Sequence, residues 1–168
     1  MPLTSDLQVS LTSNLTSALD LTTAQAQIQK VYRVLLATGT GANQADKQFS
    51  DTRTINASSN DDLDLAGVLT DAFGATITFV KVKYLLVAAA AGNTNNVVIG
   101  GGASNPFASF MTGTTPAILV KPGGVFALAT PDAAGYAVTA ATADILRITN
   151  GGAGTSVTYD IIIGGTSA

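Results

Sequence analysis

Ala75 to Ala90 reads ATITFVKVKYLLVAAA. Side chains along an extended strand alternate between its two faces. Ile77, Phe79, Lys81 and Lys83 therefore share one face, and Thr78, Val80, Val82 and Tyr84 share the other. The alternation breaks between Lys81 and Leu85, where two lysines fall on the face that carries Ile77 and Phe79. A β-bulge or a switch of face at that point restores an apolar side. The segment is dense in β-branched and aromatic residues, which suit a pleated, buried surface. GNTNN then turns the chain and VVIGG returns it.

The same signals recur on either side. AILV and VFALA flank Lys121-Pro122-Gly123-Gly124. Pro presets φ for the second position of a type II turn and Gly supplies the positive φ of the third, so this stretch reads as a hairpin at one corner of a sandwich. YAVTA, DILRIT and SVTYDIII follow, separated by the loop signals TPDAAG and NGGAGT. Val157–Ile163 is nearly continuous apolar, which places it centrally in a sheet. Towards the N-terminus, KQFSDTRTI (Lys47–Ile55) reads as a strand. DDLDLAG reads as another, with Leu63 and Leu65 inward and Asp62 and Asp64 on the wet face. About nine or ten short strands, with no strong amphipathic helix between them, predict an all-β antiparallel sandwich, jelly-roll-like or immunoglobulin-like.

The first residues read differently. Leu3, Leu7, Leu11, Leu15 and Leu19 recur every four residues among Ser, Thr and Asn. That spacing fits a helical stripe, yet the polar residues between favour caps and turns. Leu7, Val9 and Leu11 also alternate as a strand does. The reading is an extended N-terminal arm over residues 1–27, lying on a neighbour or on its own domain, with a frayed terminus as the plain alternative. Residues 28–168 form the sandwich. KVYRVLLAT (Lys30–Thr38) opens it as a strand, against a rival short helix over Ala24–Leu36.

Composition bounds the function. Charged residues are 11% and hydrophobic residues 46% of 168 residues, whereas an ordinary domain is about 25% charged. A surface of Ser, Thr, Asn, Gly and Ala is poorly suited to a free monomer, because net charge keeps molecules apart. The chain is expected to work inside an assembly, as a homo-oligomer or in lattice contacts. With a net charge of -3 and no basic run, nucleic acid is not an expected partner. The longest apolar stretch, Tyr84–Ala91, is far short of the roughly 20 residues that span a bilayer, so no membrane partner is expected. The N-terminus lacks the pattern of a signal peptide.

Chemistry-bearing residues are few. The chain has no His, Cys or Trp, so a Ser-His-Asp triad, a thiol nucleophile and a thiolate zinc site cannot be built from it. Asp61, Asp62 and Asp64 cluster, and Asp71 follows, which suggests a solvated face first, then a calcium site, then a carboxylate pair of the glycosidase kind. The calcium-loop pattern is absent. Gly39–Lys47, GTGANQADK, lacks the Gly-Lys-Ser/Thr of a phosphate loop, and GGGAS at Gly100 is as weak. Asn93, Asn95 and Asn96 read as turn residues, with a sugar or a partner's backbone as the other use. No catalytic residue, cofactor or metal is expected. The candidate partner contacts are Leu7, Leu11 and Leu15 on the arm, and Phe107, Phe110 and Met111 between strands. The latter three either cap the core or form an apolar knob for a neighbour.

GTGANQADKQFSDTRT, DLDLAGVLTDAFGATITF, AAGNTNNVVIGGGASNPFASF, KPGGVFAL and TADILRITNGGAGTSVTYDIIIGG together resemble small β-sandwich virion proteins of tailed bacteriophages. The resemblance spans most of residues 28–165 and is one of phrasing and order. It implies a structural, non-enzymatic protein made in the host bacterial cytoplasm and carried on the virion. A capsid decoration (cement) protein on the major capsid protein shell is the first expectation, and a tail or fibre component, with a possible host glycan contact, the second.

Overall fold

The computed structural model describes residues 2–102, 104–113 and 115–168. Among these there is no helix. The strands run β1 (Ser5–Ala18), β2 (Thr23–Thr38), β3 (Gln44–Ala45), β4 (Lys47–Ile55), β5 (Asn60–Asp64), β6 (Lys81–Ala89), β7 (Val97–Gly100), β8 (Ala117–Val120), β9 (Val125–Ala129), β10 (Tyr136–Ala137), β11 (Ile145–Asn150) and β12 (Val157–Thr166).

Two antiparallel sheets make the body. In one, β12 lies between β4 and β6, and β9 and the short β10 pair with the other edge of β6. The second is ordered β5-β11-β7-β8. Setting β10 aside and counting the remaining eight body strands in chain order, the sheets read first-eighth-third-sixth and second-seventh-fourth-fifth. That is the strand order of a jelly roll. An immunoglobulin-like sheet would place the first strand beside the second; here β4 and β5 lie in different sheets. The two inner faces meet in one apolar core that includes Phe49, Leu63, Leu85, Ile99, Ile148 and Ile161.

β12 is central, as its apolar run requires, and β4 spans the residues expected of it. β6 carries the expected irregularity. Gly164 pairs with Tyr84, but Gly165 pairs with Val82, so Lys83 is the extra residue of a bulge. Val82 and Leu85 thereby both reach the core. Lys83 is buried and its Nζ donates to the Asp132 carbonyl. Burial is the main influence on that amine and pulls its pKa below the ordinary lysine value.

Two expectations need correction. β6 begins at Lys81, because Ala75–Val80 is not part of the sheet. The amides of Ile77 and Phe79 donate instead to the Leu69 and Leu65 carbonyls. This excursion folds over one end of the core and still buries Ile77 and Phe79. Lys121–Gly124 has the expected geometry, with Gly124 N donating to Lys121 O at 2.8 Å and Gly123 at φ 72°. It is nevertheless not a hairpin turn: β8 pairs with β7 and β9 with β6, so the turn carries the chain from one sheet to the other. Turn chemistry fixes the reversal; the partners available on each side decide what the strands pair with.

Candidate interaction surface

β1 and β2 form an antiparallel hairpin, in register from Ser5↔Leu36 to Ala18↔Thr23. A four-residue tip, Leu19–Thr22, closes it, with Leu19 N donating to Thr22 O at 2.8 Å. β2 is one unbroken strand through residues 27 and 28, so the segment expected to open the sandwich is the second leg of the arm. The rival helices over the leucine repeat and Ala24–Leu36 do not form. A spacing of four keeps side chains on one side of a strand as well as of a helix.

The register sorts the hairpin into two faces. Leu7, Val9, Leu11 and Leu15 lie with Val34, Tyr32 and Ile28 on one face. Gln8, Thr12, Asn14 and Thr16 lie with Arg33, Gln29, Gln27 and Gln25 on the other, a mainly polar face that also carries Val31 and Leu35. Arg33 donates to both oxygens of Asp6 at 2.8 Å. That hydrogen bonding holds the Asp6 carboxyl below the usual carboxylate range.

The base of the hairpin is fastened to the body. Leu36 is buried with Ala45 and Tyr84, and Leu3, Leu7 and Val34 pack around them. Ala37 N donates to Asn43 O at 2.9 Å, and Thr38 exchanges two hydrogen bonds with the Leu3 backbone. The Tyr84 hydroxyl shares a 2.9 Å hydrogen bond with Ser5 Oγ and donates to Gln48 Oε1 at 2.9 Å. Its ring occupies space above Gly164 that a Cβ there would overlap.

Beyond this base no hairpin residue is buried among the described residues. Every residue from Gln8 to Arg33 is exposed. At about 3.4 Å per residue that stretch of ribbon is on the order of 35 Å long. Leu21, at the tip, is 99% exposed. Both outer edges of the ribbon carry unpaired backbone groups over most of their length, since β2 pairs with β3 only at Ala37 and Thr38. Free two-stranded hairpins are marginal in water, and long uncharged edges invite pairing. Where the apolar face meets the body, a groove of about 420 Å³ opens between Leu7 and Val34 on the hairpin and Leu86 and Ile162 on the sheet.

The other candidates fall elsewhere. Phe107 is a core residue, 5.6 Å from the Phe110 ring, and Phe110 also meets Phe126 at a tilt and Tyr136 edge-on. Met111 is half-buried nearby. The structure thus separates Leu7, Leu11 and Leu15, on the hairpin, from Phe107, Phe110 and Met111, in the body. The aspartates of β5 have divergent partners: Asp62 accepts two hydrogen bonds from Arg147 at 2.6 Å, and Asp64 accepts from Ala66 N at 2.9 Å. Asp71 accepts from Phe73 N and Ala75 N at 2.9 Å, closing a turn. Asn93 pairs reciprocally with the Thr158 backbone, and Asn95 reaches Asn150 Oδ1 and Thr155 O. Gln44 accepts from Gly41 N within the glycine-rich loop, so that loop is closed by its own side chain.

One cluster is not visible in the sequence. Arg53 on β4, Asp61 on β5 and Tyr159 on β12 join across the two sheets, with Tyr159 Oη donating to Asp61 Oδ2 at 2.7 Å and Arg53 paired to the same carboxylate. Burial alone would raise the Asp61 pKa; the hydrogen bonds from Arg53 and Tyr159 outweigh it and leave the carboxyl below its ordinary value. Burial, then the bond to Asp61, pushes the Tyr159 phenol well up. Beside the cluster lies a polar cleft of about 380 Å³, lined by Asp51, Arg53, Asn56, Ser59 and Asn60.

Comparison with models of protein families, with characterised proteins and with solved structures gave no match.

Proposed function

We propose that this chain is a non-enzymatic structural component of a tailed-bacteriophage particle, a decoration protein that seats on the assembled major capsid protein shell. The observation that carries this reading is the hairpin: a ribbon fastened at its base, apolar on one face, and left uncovered by its own body from Gln8 to Arg33. A monomeric enzyme or carrier gains nothing from such an element. An assembly component gains reach across a subunit boundary, and a tethered second contact adds to the first through effective concentration. Binding the assembled shell in preference to its free subunits stabilises the shell by mass action. The low-charge surface and the virion-like phrasing of residues 28–165 support the same reading, and jelly rolls occur in viral capsids, which is an analogy of fold.

The polar cleft beside Arg53 and Asp61 favours a second reading, a tail or fibre component that contacts host glycan, since jelly rolls also serve lectins. Immunogold labelling of particles separates the two: label over the head supports decoration, and label confined to the tail overturns it. Co-sedimentation with undecorated heads tests the hairpin directly. The full chain pellets with heads, and a chain with Val9–Tyr32 replaced by a two-residue turn remains in the supernatant. Equal pelleting of both refutes the role of the hairpin.

A further inference from the structure

We infer that the apolar face of the hairpin is covered by a second copy of this chain, laid across the outer face of that copy's β4-β12-β6-β9 sheet. This rests on reading the hairpin as an assembly element and names its partner. Three observations favour a second copy.

The first is area. Val9, Leu11, Leu15, Ile28 and Tyr32 are 49%, 58%, 76%, 50% and 71% exposed. Together they present on the order of 500 Å² of apolar surface, the upper end of what a free monomer carries as its largest patch. In a reciprocal contact each chain contributes this face and the sheet face that meets it. The total is on the order of 2,000 Å², the size of a stable interface.

The second is shape. The outer face of the sheet is built of small side chains, Ser50, Thr52, Ala88 and Ala127, around Leu86 and Ile162. Such short side chains leave room for a two-stranded ribbon, and the groove at the hairpin base leads onto this face. Leu86 and Ile162 are only half-buried within one chain.

The third is charge in register. Lys30 is the single charged residue on the apolar face of the hairpin, opposite Leu11. Asp160 is the single charged residue on the outer face of the sheet between the rows of Tyr84 and Ala88. Ile28 lies two residues from Lys30 along β2, and Ile162 lies two residues from Asp160 along β12. Both spacings are about 7 Å. A ribbon laid with β2 antiparallel to β12 and Lys30 on Asp160 sets Ile28 beside Ile162, and that is the orientation inferred.

Sedimentation velocity on the full chain, over a range of micromolar concentrations, tests the inference. The wild type sediments as a dimer or a larger assembly. Leu11→Asp combined with Leu15→Asp sediments as a monomer with an unchanged far-ultraviolet spectrum, because both residues are exposed. Lys30→Asp and Asp160→Lys each weaken association several-fold, and the two together restore it. A wild type that is monomeric throughout overturns the inference. So does an assembly indifferent to the leucine changes, or a charge reversal that fails to rescue. A wild type that is monomeric yet pellets with heads overturns this inference and leaves the decoration reading standing; a wild-type assembly that ignores heads does the reverse.

Discussion

Gly164→Ala tests how the arm is fastened. Gly164 lies in β12 directly opposite Tyr84, and a methyl group at that position overlaps the Tyr84 ring. Its backbone has no positive φ, so the effect is one of space and not of conformation. Tyr84 is 5% exposed and its hydroxyl bonds to both Ser5 and Gln48. Repacking the ring in place costs about 1–3 kcal/mol. Expelling it forfeits roughly 2–3 kcal/mol of burial and about 1 kcal/mol for each hydrogen bond. The cheaper response sets the cost, so the expected loss is about 1–3 kcal/mol, a fall in Tm of roughly 2–12 °C for a chain of this size. Urea and thermal denaturation measure it. The control is the Tyr84→Ala background, where the clash is gone and Gly164→Ala costs less than about 0.5 kcal/mol, as expected for directly coupled neighbours. A Gly164→Ala chain as stable as wild type, or effects of the two changes that simply add, refutes the proposed clamp.

Three further outcomes follow from the same geometry. Tyr159→Phe removes one bond to Asp61 but leaves its Arg53 partner, and denaturation should show a loss of about 1–2 kcal/mol. Asp61 and Asp62 both have folded pKa values below the ordinary 3.8. Their contribution to stability is therefore full above that value and is lost as pH falls through the lower folded values. A melting series in acid shows this loss, and Arg147→Met flattens the part due to Asp62; an unaltered acid limb contradicts the assignment. Gly123→Val places a branched residue at φ 72° and should cost about 1 kcal/mol or more, read as a lowered Tm.

The body was legible where period-two patterning coincides with burial. Leu63 and Leu65 point inward, Val157–Ile163 is central, and the misplaced lysines near Lys83 mark a bulge that exists. Each of these follows from which side chains tolerate the core. Pairing partners were less legible. Lys121–Gly124 has the expected turn, but nothing in four residues says that β8 and β9 belong to different sheets. Ala75–Val80 looks like strand because Ile77 and Phe79 are buried at alternate positions, as they are in the excursion that replaces it.

The interaction surface was half visible. Leu7, Leu11 and Leu15 were candidates on chemistry, and the structure places them on one face. Their strand partner was missed because the tip, Leu-Asp-Leu-Thr at Leu19–Thr22, contains no Asn-Gly or Asp-Gly signal of a tight hairpin. KVYRVLLAT (Lys30–Thr38) therefore reads as the opening strand of the sandwich. The Arg53–Asp61–Tyr159 cluster was invisible because its members meet only when the two sheets close.

If the hairpin is an assembly element, the ribbon from Gln8 to Arg33 stands clear of its own body in the free chain and is covered on assembly. Amide hydrogen exchange, compared between protein diluted until it is monomeric and decorated particles, is the measurement that decides this. Fast exchange is expected over Val9–Tyr32 in the monomer, with slow exchange there in particles and slow exchange over Val157–Ile163 in both. Equal protection of Val9–Tyr32 in the two states would contradict it.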